Sequence, residues 1–531
     1  MHLKKNYKLI INELIEKTIK TQDNLANIKR KMAKKYKIAC SSNIELLRIY
    51  HNLLENKRIK KSETLENLLR KAKIRSLSGV VVVSVLTKPY PCPGKCIYCP
   101  IEEGIPKSYL SGEPAVERAK RFKFDPYWQF QGRIEMLKNQ GHPTDKIELR
   151  IIGGSFSVYP QKYKIWFLSN CFAGANRKER ILKKGIDWRL LEKQQKINEK
   201  AKQRIVGISI ETRPDLVNKK EILNLRKMGI TMVELGIQTI FDDILERCRR
   251  GHGIKETISA TKLLKDAGFK VLYQVMPNLP GSNLKKDLEC FERLFEDPGY
   301  KPDWLKIYPC LVCKGSELYQ IWKKGKYKPY SEKKLIELLI KIKEKLPFWV
   351  RIARLFRDIP SQKIEAGCRI SNLREVIQKK IKKRRRVCHC IRCREIRKNY
   401  NPKEKVYLFR ENYDASEGKE IFLSFENKKR DKLYSFLRLR VPSGKQHFIS
   451  ALREASLIRE IQTFGQLVPI SEIKIAPQHK GFGKKLIKIA EKITKKEFGL
   501  RKIAAISGIG VRGYFRKLGY KLKDSYMMKK I

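Results

Sequence analysis

This sequence is poor in histidine and, against its basic residues, poor in acidic ones. Seven histidines in 531 residues argue against a histidine-rich catalytic centre. Asp and Glu together number 55 against 118 Lys and Arg, leaving a formal charge of +63 and a pI near 10.0. Such an excess favours a polyanionic partner, nucleic acid first. A genome biased toward lysine and isoleucine codons is the competing explanation. No uncharged apolar run approaches the ~20 residues of a membrane span, so no membrane segment is expected. The first residues carry scattered charges and no signal-peptide core. The 13 cysteines are odd in number and clustered, which speaks against a disulfide framework. A reducing cytoplasm with metal sites fits them better. With 42% hydrophobic residues the chain can build real cores, and its length suggests two to four domains.

What is present begins with three of those cysteines. Cys92, Cys96 and Cys99 are separated by three and by two residues. Three thiolates this close can hold three irons of a 4Fe–4S cluster and leave the fourth open. An open iron can chelate the amino and carboxylate groups of S-adenosylmethionine (SAM), and one electron then cleaves SAM to a 5′-deoxyadenosyl radical. Tyr98, just before the third cysteine, belongs to the usual radical-SAM pattern. A zinc knuckle is the plainer alternative. The motif, however, follows a predicted strand, Val80–Leu86, that opens a βα repeat.

Residues 1–75 read as a basic helical module, with apolar residues at helical spacing over Asn6–Lys20, Asn43–Asn56 and Ser62–Lys73. Residues 76–330 alternate strands and helices. Further strands are predicted at Ile147–Ile152, Ile205–Ile210, Met232–Ile237, Lys270–Val275 and Leu305–Tyr308, nearly continuously apolar as buried parallel strands are. Six βα units predict a partial (βα)6 barrel with ligands at the carboxyl ends of the strands. Gly153-Gly154, Glu211 and Gln238 all follow strand ends. The glycine pair would let backbone approach a ligand such as the methionine part of SAM.

Residues 331–404 read as a linker. It holds the basic run Lys379, Lys380, Lys382, Lys383, Arg384, Arg385 and Arg386, expected to contact RNA. Cys388, Cys390 and Cys393 follow, three thiols within six residues, which suit a structural zinc. Cys368, Cys310, Cys313 and His389 are all open as a fourth ligand.

Residues 405–531 show strands at Phe436–Val441, Ser456–Thr463 and Ile503–Ser507. Between the last two, Gln478, Gly481 and Gly483 form a Q-x-x-G-x-G loop before a helix predicted at Lys485–Phe498. Such a loop presents free backbone N–H groups to a pyrophosphate. It is the coenzyme A loop of GNAT acetyltransferases, and an aromatic helix with Tyr514-Phe515 follows, as in GNAT tails. The fold class is therefore α/β: a partial radical-SAM barrel, a GNAT domain and a basic helical N-terminal module.

A radical-SAM barrel joined to a GNAT domain closely resembles the Elongator catalytic-subunit family over essentially the whole chain. Gly112-Glu113-Pro114, Asp125-Pro126-Tyr127, Gly153-Gly154-Ser155-Phe156, Glu211-Thr212-Arg213-Pro214-Asp215, Gly236-Ile237-Gln238, Arg250-Gly251-His252, Lys306-Ile307-Tyr308-Pro309, Arg357-Asp358-Ile359-Pro360 and Gln478–Gly483 carry the resemblance. It implies installation of a 5-carboxymethyl group on the wobble uridine, position 34, of tRNA from acetyl-CoA. Lys146 would touch acetyl-CoA. Glu460, Ile461, Gln462, Thr463, Phe482, Gly483 and Lys484 would line the GNAT pocket, and Tyr514 or Phe515 would complete it. The implied partners are tRNA and an external electron donor. A homodimer is compatible with this, and Elongator-like accessory subunits are not required. Two departures stand out. Only three residues separate Cys92 from Cys96, fewer than in eukaryotic members. Phe515 replaces a tyrosine and lacks its hydroxyl. The rival reading is a protein lysine acetyltransferase that uses the GNAT domain alone.

Overall fold

The structure is a computed structural model that describes residues 2–17, 19–71, 76, 78–183, 185–397, 400–444, 446–465 and 481–531. The chain opens with four helices, His2–Glu16, Gln22–Lys35, Asn43–Glu55 and Glu63–Leu69. Their apolar stripes meet in a separate small core of Ile10, Leu14, Leu46, Leu47, Tyr50 and Leu65. Ser42 and Glu45 form a reciprocal capping box at the start of the third helix. The bundle is tied to the rest by Arg70, whose Nε donates to Gly141 O at 2.5 Å.

Six strands follow: β1 (Val81–Leu86), β2 (Lys146–Ile152), β3 (Arg204–Thr212), β4 (Met232–Gln238), β5 (Lys270–Val275) and β6 (Trp304–Ile307). After them come β7 (Val312–Cys313), β8 (Arg351–Arg354) and β9 (Ile364–Ala366). β1 to β6 pair in sequence order, all parallel, and β8 adds a seventh strand beside β6. The curled sheet is thus one strand larger than the six expected, and its last strand comes from residues 331–404. β7 and β9 form a separate two-stranded ribbon. Every residue of β4, the central strand, is buried, which is why its sequence shows no alternation.

A second, mixed sheet contains β10 (Tyr407–Ala415), β11 (Gly418–Glu426), β12 (Leu433–Val441), β13 (Ala455–Thr463), β14 (Lys502–Ala505), β15 (Lys521–Lys523) and β16 (Tyr526–Lys530). Its order is β10-β11-β12-β13-β14-β16-β15, and only β13 and β14 run parallel. Their ladder ends where Ile506 N–H donates to Ile458 O at 3.1 Å, while β13 runs on to Thr463. The helix Phe482–Lys496 packs on β11, β12, β13 and β14 through Leu486, Ile487 and Ala490.

The second sheet covers the amino ends of the barrel strands. Arg459 forks onto Asp303, one residue before β6, at 2.9 and 2.5 Å and also reaches Glu420. Arg440 holds Asp266 at 2.9 and 2.6 Å. Gly508 and Gly510 lie so close to β3 that an added Cβ would meet Val206 O at 2.0 Å and Arg204 Cβ at 2.6 Å. Among the described residues, no helix is long and apolar enough to cross a membrane.

Candidate functional site

At the carboxyl ends of the parallel strands lies a cavity of about 510 Å³. β1 ends at Leu86, and the loop that follows carries Cys92, Cys96 and Cys99 onto the cavity wall. The loop folds against neighbours through its own backbone: Ile97 N–H donates to Cys248 O, and Leu318 N–H to Ile97 O. Arg250 is a buried cation of this wall. Its Nη1 donates to Cys96 Sγ at 3.2 Å, its Nη2 to Gly236 O at 2.6 Å and its Nε to His252 Nε2 at 2.9 Å. The thiol of Cys99 and the Arg250 guanidinium hold the Cys96 thiol down at about 4, against its burial. Burial, with Arg250 alongside, pushes His252 down to about 4, so its ring stays neutral and accepts from Arg250.

Gly153 and Gly154 line the same cavity with φ of +130° and +93°. A Cβ on Gly153 would meet Thr87 Oγ1 at 2.1 Å, so only glycine lets the ends of β1 and β2 close here. Gly154 has nothing nearer than Lys107 O at 3.9 Å and leaves its Cα face open. Gln238, at φ +70°, lines the wall beside Gly236. Arg213 is bound to Asp215 at 2.9 and 3.1 Å, but its Nη1 is buried without a partner on the cavity wall. An orphaned guanidinium N–H suits an anionic ligand such as a carboxylate.

Below the cysteines the barrel lumen is filled by charge. Glu211 accepts from Tyr109 OH at 2.7 Å, Gln274 Nε2 at 3.1 Å and Lys306 Nζ at 3.3 Å. Lys306 also bonds Glu234, which Ser209 reaches at 3.3 Å. Burial alone would raise the Glu211 carboxyl, but Lys306 and the Tyr109 hydrogen bond outweigh it and hold it below the usual range. Glu211 is thus an ionised, fully bonded floor. Its partners Gln274, Glu234 and Lys306 escaped the sequence reading of the site, although all sit on inward positions of their strands.

Lys146 begins β2 and therefore lies at the opposite, amino end of the sheet, paired in register with Arg204. Burial lowers its pKa. This is the end that the second sheet covers. There Gly483 draws several predicted residues together: its Cβ position would be 3.2 Å from Tyr514 OH and 3.6 Å from both Ile461 Cδ1 and Thr463 Oγ1. Gln462 reaches across to Ser78 O at 3.3 Å, just before β1. Glu460 instead turns toward the barrel and binds Arg438 at 2.9 Å and Trp304 Nε1 at 3.4 Å. Gly481 takes φ +70° as the helix N-cap, and Lys484 lies in the first turn of that helix. Phe482 is buried against Phe425 and Tyr434. Phe515 is buried in the core of the second sheet, whereas Tyr514 is 38% exposed. The hydroxyl that Phe515 lacks would therefore point into a core, not toward Gly483. Gln478 lies outside the described residues.

Cys388, Cys390 and Cys393 place their sulfurs within 4.8 Å of one another, the one such group among the described residues. This spacing fits a single tetrahedral ion. Cys310 and Cys313 are buried in clusters beside the first cavity and His389 lies tilted against Phe348 at 4.5 Å, and none of them joins this group. Cys368 does not join it either. Instead Lys343, fully buried, donates to Cys388 Sγ at 3.1 Å and Cys393 Sγ at 3.6 Å. In the basic run Arg384 is engaged by Glu337 at 2.7 and 2.6 Å. Lys379, Lys382, Lys383, Arg385 and Arg386 are exposed, and Lys380 is half-buried.

The radical SAM superfamily model matches residues 90–294, and the radical SAM C-terminal domain model matches residues 302–383. The chain is 44% identical to a tRNA uridine(34) acetyltransferase of Methanocaldococcus infernus, covering 98% of both chains. It is 48% identical to the enzyme of that name from Methanocaldococcus jannaschii, over 87% of this chain and 86% of that one. It is 36% identical to human Elongator complex protein 3, over 98% and 96%. A solved structure of archaeal Methanocaldococcus infernus Elp3 with an N-terminal deletion superposes with a TM-score of 0.74 at 43% identity, covering 86% of this chain and all of that one.

Proposed function

This chain belongs to the family of the tRNA uridine(34) acetyltransferases and Elongator complex protein 3, and we propose that it builds a 5-carboxymethyl group on the wobble uridine of tRNA from acetyl-CoA. The carrying observation is that one barrel has a three-cysteine cavity at its carboxyl end and the Gly483–Tyr514 convergence at its amino end. Cys92, Cys96 and Cys99 would hold a 4Fe–4S cluster. That cluster, once loaded, supplies the electron that cleaves SAM and so a carbon radical able to take a methyl hydrogen from acetyl-CoA.

The protein's own residues do the rest. Gly153 and Gly154 let backbone approach SAM, Arg213 offers its free Nη1 to the SAM carboxylate, and Gln238 closes the wall. Glu211, held ionised, keeps the floor polar and rigid. Gly481, Gly483 and Lys484 open a helix whose N–H groups suit the coenzyme A pyrophosphate. Ile461, Thr463 and Tyr514 flank it, Gln462 would complete that wall, and Lys146, at the amino end of β2, would touch acetyl-CoA. Tyr514, with its hydroxyl beside Gly483, would donate a hydrogen bond to the acyl group, which the side chain of Phe515 cannot do. Cys388, Cys390 and Cys393 would hold a structural zinc. The exposed members of Lys379–Arg386 and the N-terminal helices would bind tRNA phosphates. The chain would act in the cytoplasm without accessory subunits.

Nucleoside mass spectrometry tests the reading. Reconstituted protein with SAM, reductant and acetyl-CoA carrying a labelled acetyl group should place both acetyl carbons on carbon 5 of uridine. Label on protein lysines with unmodified tRNA would favour a lysine acetyltransferase instead.

A further inference from the structure

The residues leading to Cys92 have a second face. Tyr90 and Tyr159 line the radical cavity. From them a chain of rings runs outward: Tyr90 to Tyr159 at 4.8 Å, Tyr159 stacked on Tyr163 at 5.0 Å, and Tyr163 to Trp166 at 5.7 Å. The last two rings form part of the wall of a separate cavity of about 540 Å³ on the outside of the helix Gln161–Asn176. The rings are fixed. Tyr159 OH donates to Lys88 O at 2.6 Å, Lys88 N–H donates to Tyr163 OH at 3.1 Å, and Trp166 Nε1 donates to Ile181 O at 3.1 Å.

Three exposed lysines, Lys88, Lys162 and Lys183, surround this cavity. Lys88 Nζ lies 5.3 Å over the Tyr163 ring and Lys183 Nζ 5.2 Å over the Trp166 ring. Among the described residues, none of the three pairs with a carboxylate. The one acidic residue of the wall, Asp187, is engaged in capping the next helix through Leu190 N–H at 2.9 Å. Ring faces with unpaired cations beside them are what single-stranded nucleic acid binds: bases stack and phosphates meet lysine. A protein partner of matching charge would be an acidic segment, but such a segment gains nothing from two aromatic faces.

We propose that this cavity binds a nucleobase of single-stranded RNA, next in the strand to the nucleotide whose base enters the radical cavity. Tyr163 and Trp166 supply the stacking faces, and Lys88, Lys162 and Lys183 hold the flanking phosphates. The ring chain places the two cavities side by side, so extruding one base leaves its neighbour at the second cavity. The assignment rests on the tRNA reading above and adds a subsite to it.

The test uses the full chain and an anticodon stem-loop with 2-aminopurine beside the target uridine. Binding should quench the probe. Tyr163→Leu should weaken binding roughly tenfold, the size of one lost base–aromatic stack, and remove most of the quench. Tyr163→Phe, which keeps the ring, should restore both. Lys88→Gln with Lys183→Gln should reduce the salt slope by about 1.4, ~0.7 per single-strand phosphate contact. SAM cleavage without RNA should be unchanged in all of them. The lysine pair is on the surface, so it carries the test even if Tyr163→Leu folds poorly. Wild-type affinity, slope and quench in the variants, with tRNA still modified, overturn the subsite alone. That outcome includes the case in which the cavity serves a protein segment. A wild-type chain that neither binds nor modifies tRNA overturns the functional reading and the subsite with it.

Discussion

The chain holds two cysteine triads that look alike as sequence and differ as structure. C-x3-C-x2-C and C-x-C-x2-C each bring three thiols together, and each has one buried cation against a sulfur, Arg250 on Cys96 and Lys343 on Cys388. The second triad is closed: its sulfurs converge within 4.8 Å, and it lies at the junction of the barrel with the second sheet. The first is spread along a loop, does not converge to that degree and faces a cavity of about 510 Å³. A tight triad suits one ion; a spread triad beside empty space suits a polynuclear cluster that must also admit a substrate. Spacing alone does not separate these cases, because the difference lies in what surrounds the loop.

The most direct way to break the comparison is to empty each triad separately. Cys96→Ala should abolish SAM cleavage while elemental analysis still finds about one zinc per chain. Cys390→Ala should do the reverse, losing zinc while an anaerobically reconstituted cluster still forms. Zinc that persists after Cys390→Ala, or a cluster that survives Cys96→Ala, would show that the two triads are not what they are taken to be. Gly483→Glu sharpens the same contrast. Its Cβ alone would come 3.2 Å from Tyr514 OH, and its carboxylate would occupy the region where the pyrophosphate should sit. Both triads should remain filled and SAM should still be cleaved, yet modified uridine should vanish. Undiminished product would remove the second sheet from the reaction.

Much of the barrel was legible because its strands are buried on both faces and read as apolar runs. β5 spans Lys270–Val275 as expected, and β3 and β4 differ from expectation only at their ends. β8 was missed because its four residues, Arg351–Arg354, begin and end with arginine. β10 was missed because it is an exposed edge with a polar alternation. The arginines that join the two sheets were invisible for a different reason: Arg438, Arg440 and Arg459 are almost wholly buried, but an arginine in a strand reads as surface. The cavity residues that follow strand ends were found. Lys343 and Arg250 were not assigned to the triads, since contacts 50 or 154 residues apart leave no local pattern. Tyr514 and Phe515 show the limit of a motif: adjacent in sequence, one turns to Gly483 and the other into the core.

The two cations allow a smaller test. Burial would lower the pKa of the Lys343 ammonium, yet Cys390 and Cys388 outweigh it and hold it raised. Lys343 therefore stays charged, and beside a bound zinc it would offset part of the negative charge of three thiolates. Lys343→Met removes that charge and keeps the volume. Removing one partner of a buried ionic group costs about 3–5 kcal/mol, so zinc should be lost at lower chelator concentration and the midpoint of unfolding should drop. Zinc retention and stability equal to wild type would make the lysine a bystander.

The smallest expected effect separates the triads by pH. His252 sits behind Arg250 and accepts its Nε; Arg213, Asp215 and the Gly253 carbonyl also face the ring. His389, the histidine beside the closed triad, lies tilted against Phe348 and makes no such bond to Lys343. His252 is held down at about 4 by burial and by Arg250, against 6.5 when unfolded. A depressed histidine favours the folded state fully above the unfolded value, because only there are both states neutral. As pH falls from 6.5 toward about 4 the unfolded chain takes up a proton that the folded chain refuses, and stability is lost across that window. The loss amounts to a few kcal/mol at most. His252→Gln cannot take up that proton, so its unfolding free energy should fall less steeply over the same window when the cluster-free protein is titrated with denaturant. It should also sit below wild type at pH 7, since the acceptor geometry for Arg250 is disturbed. Parallel profiles for the two proteins would place the acid sensitivity in a group other than His252.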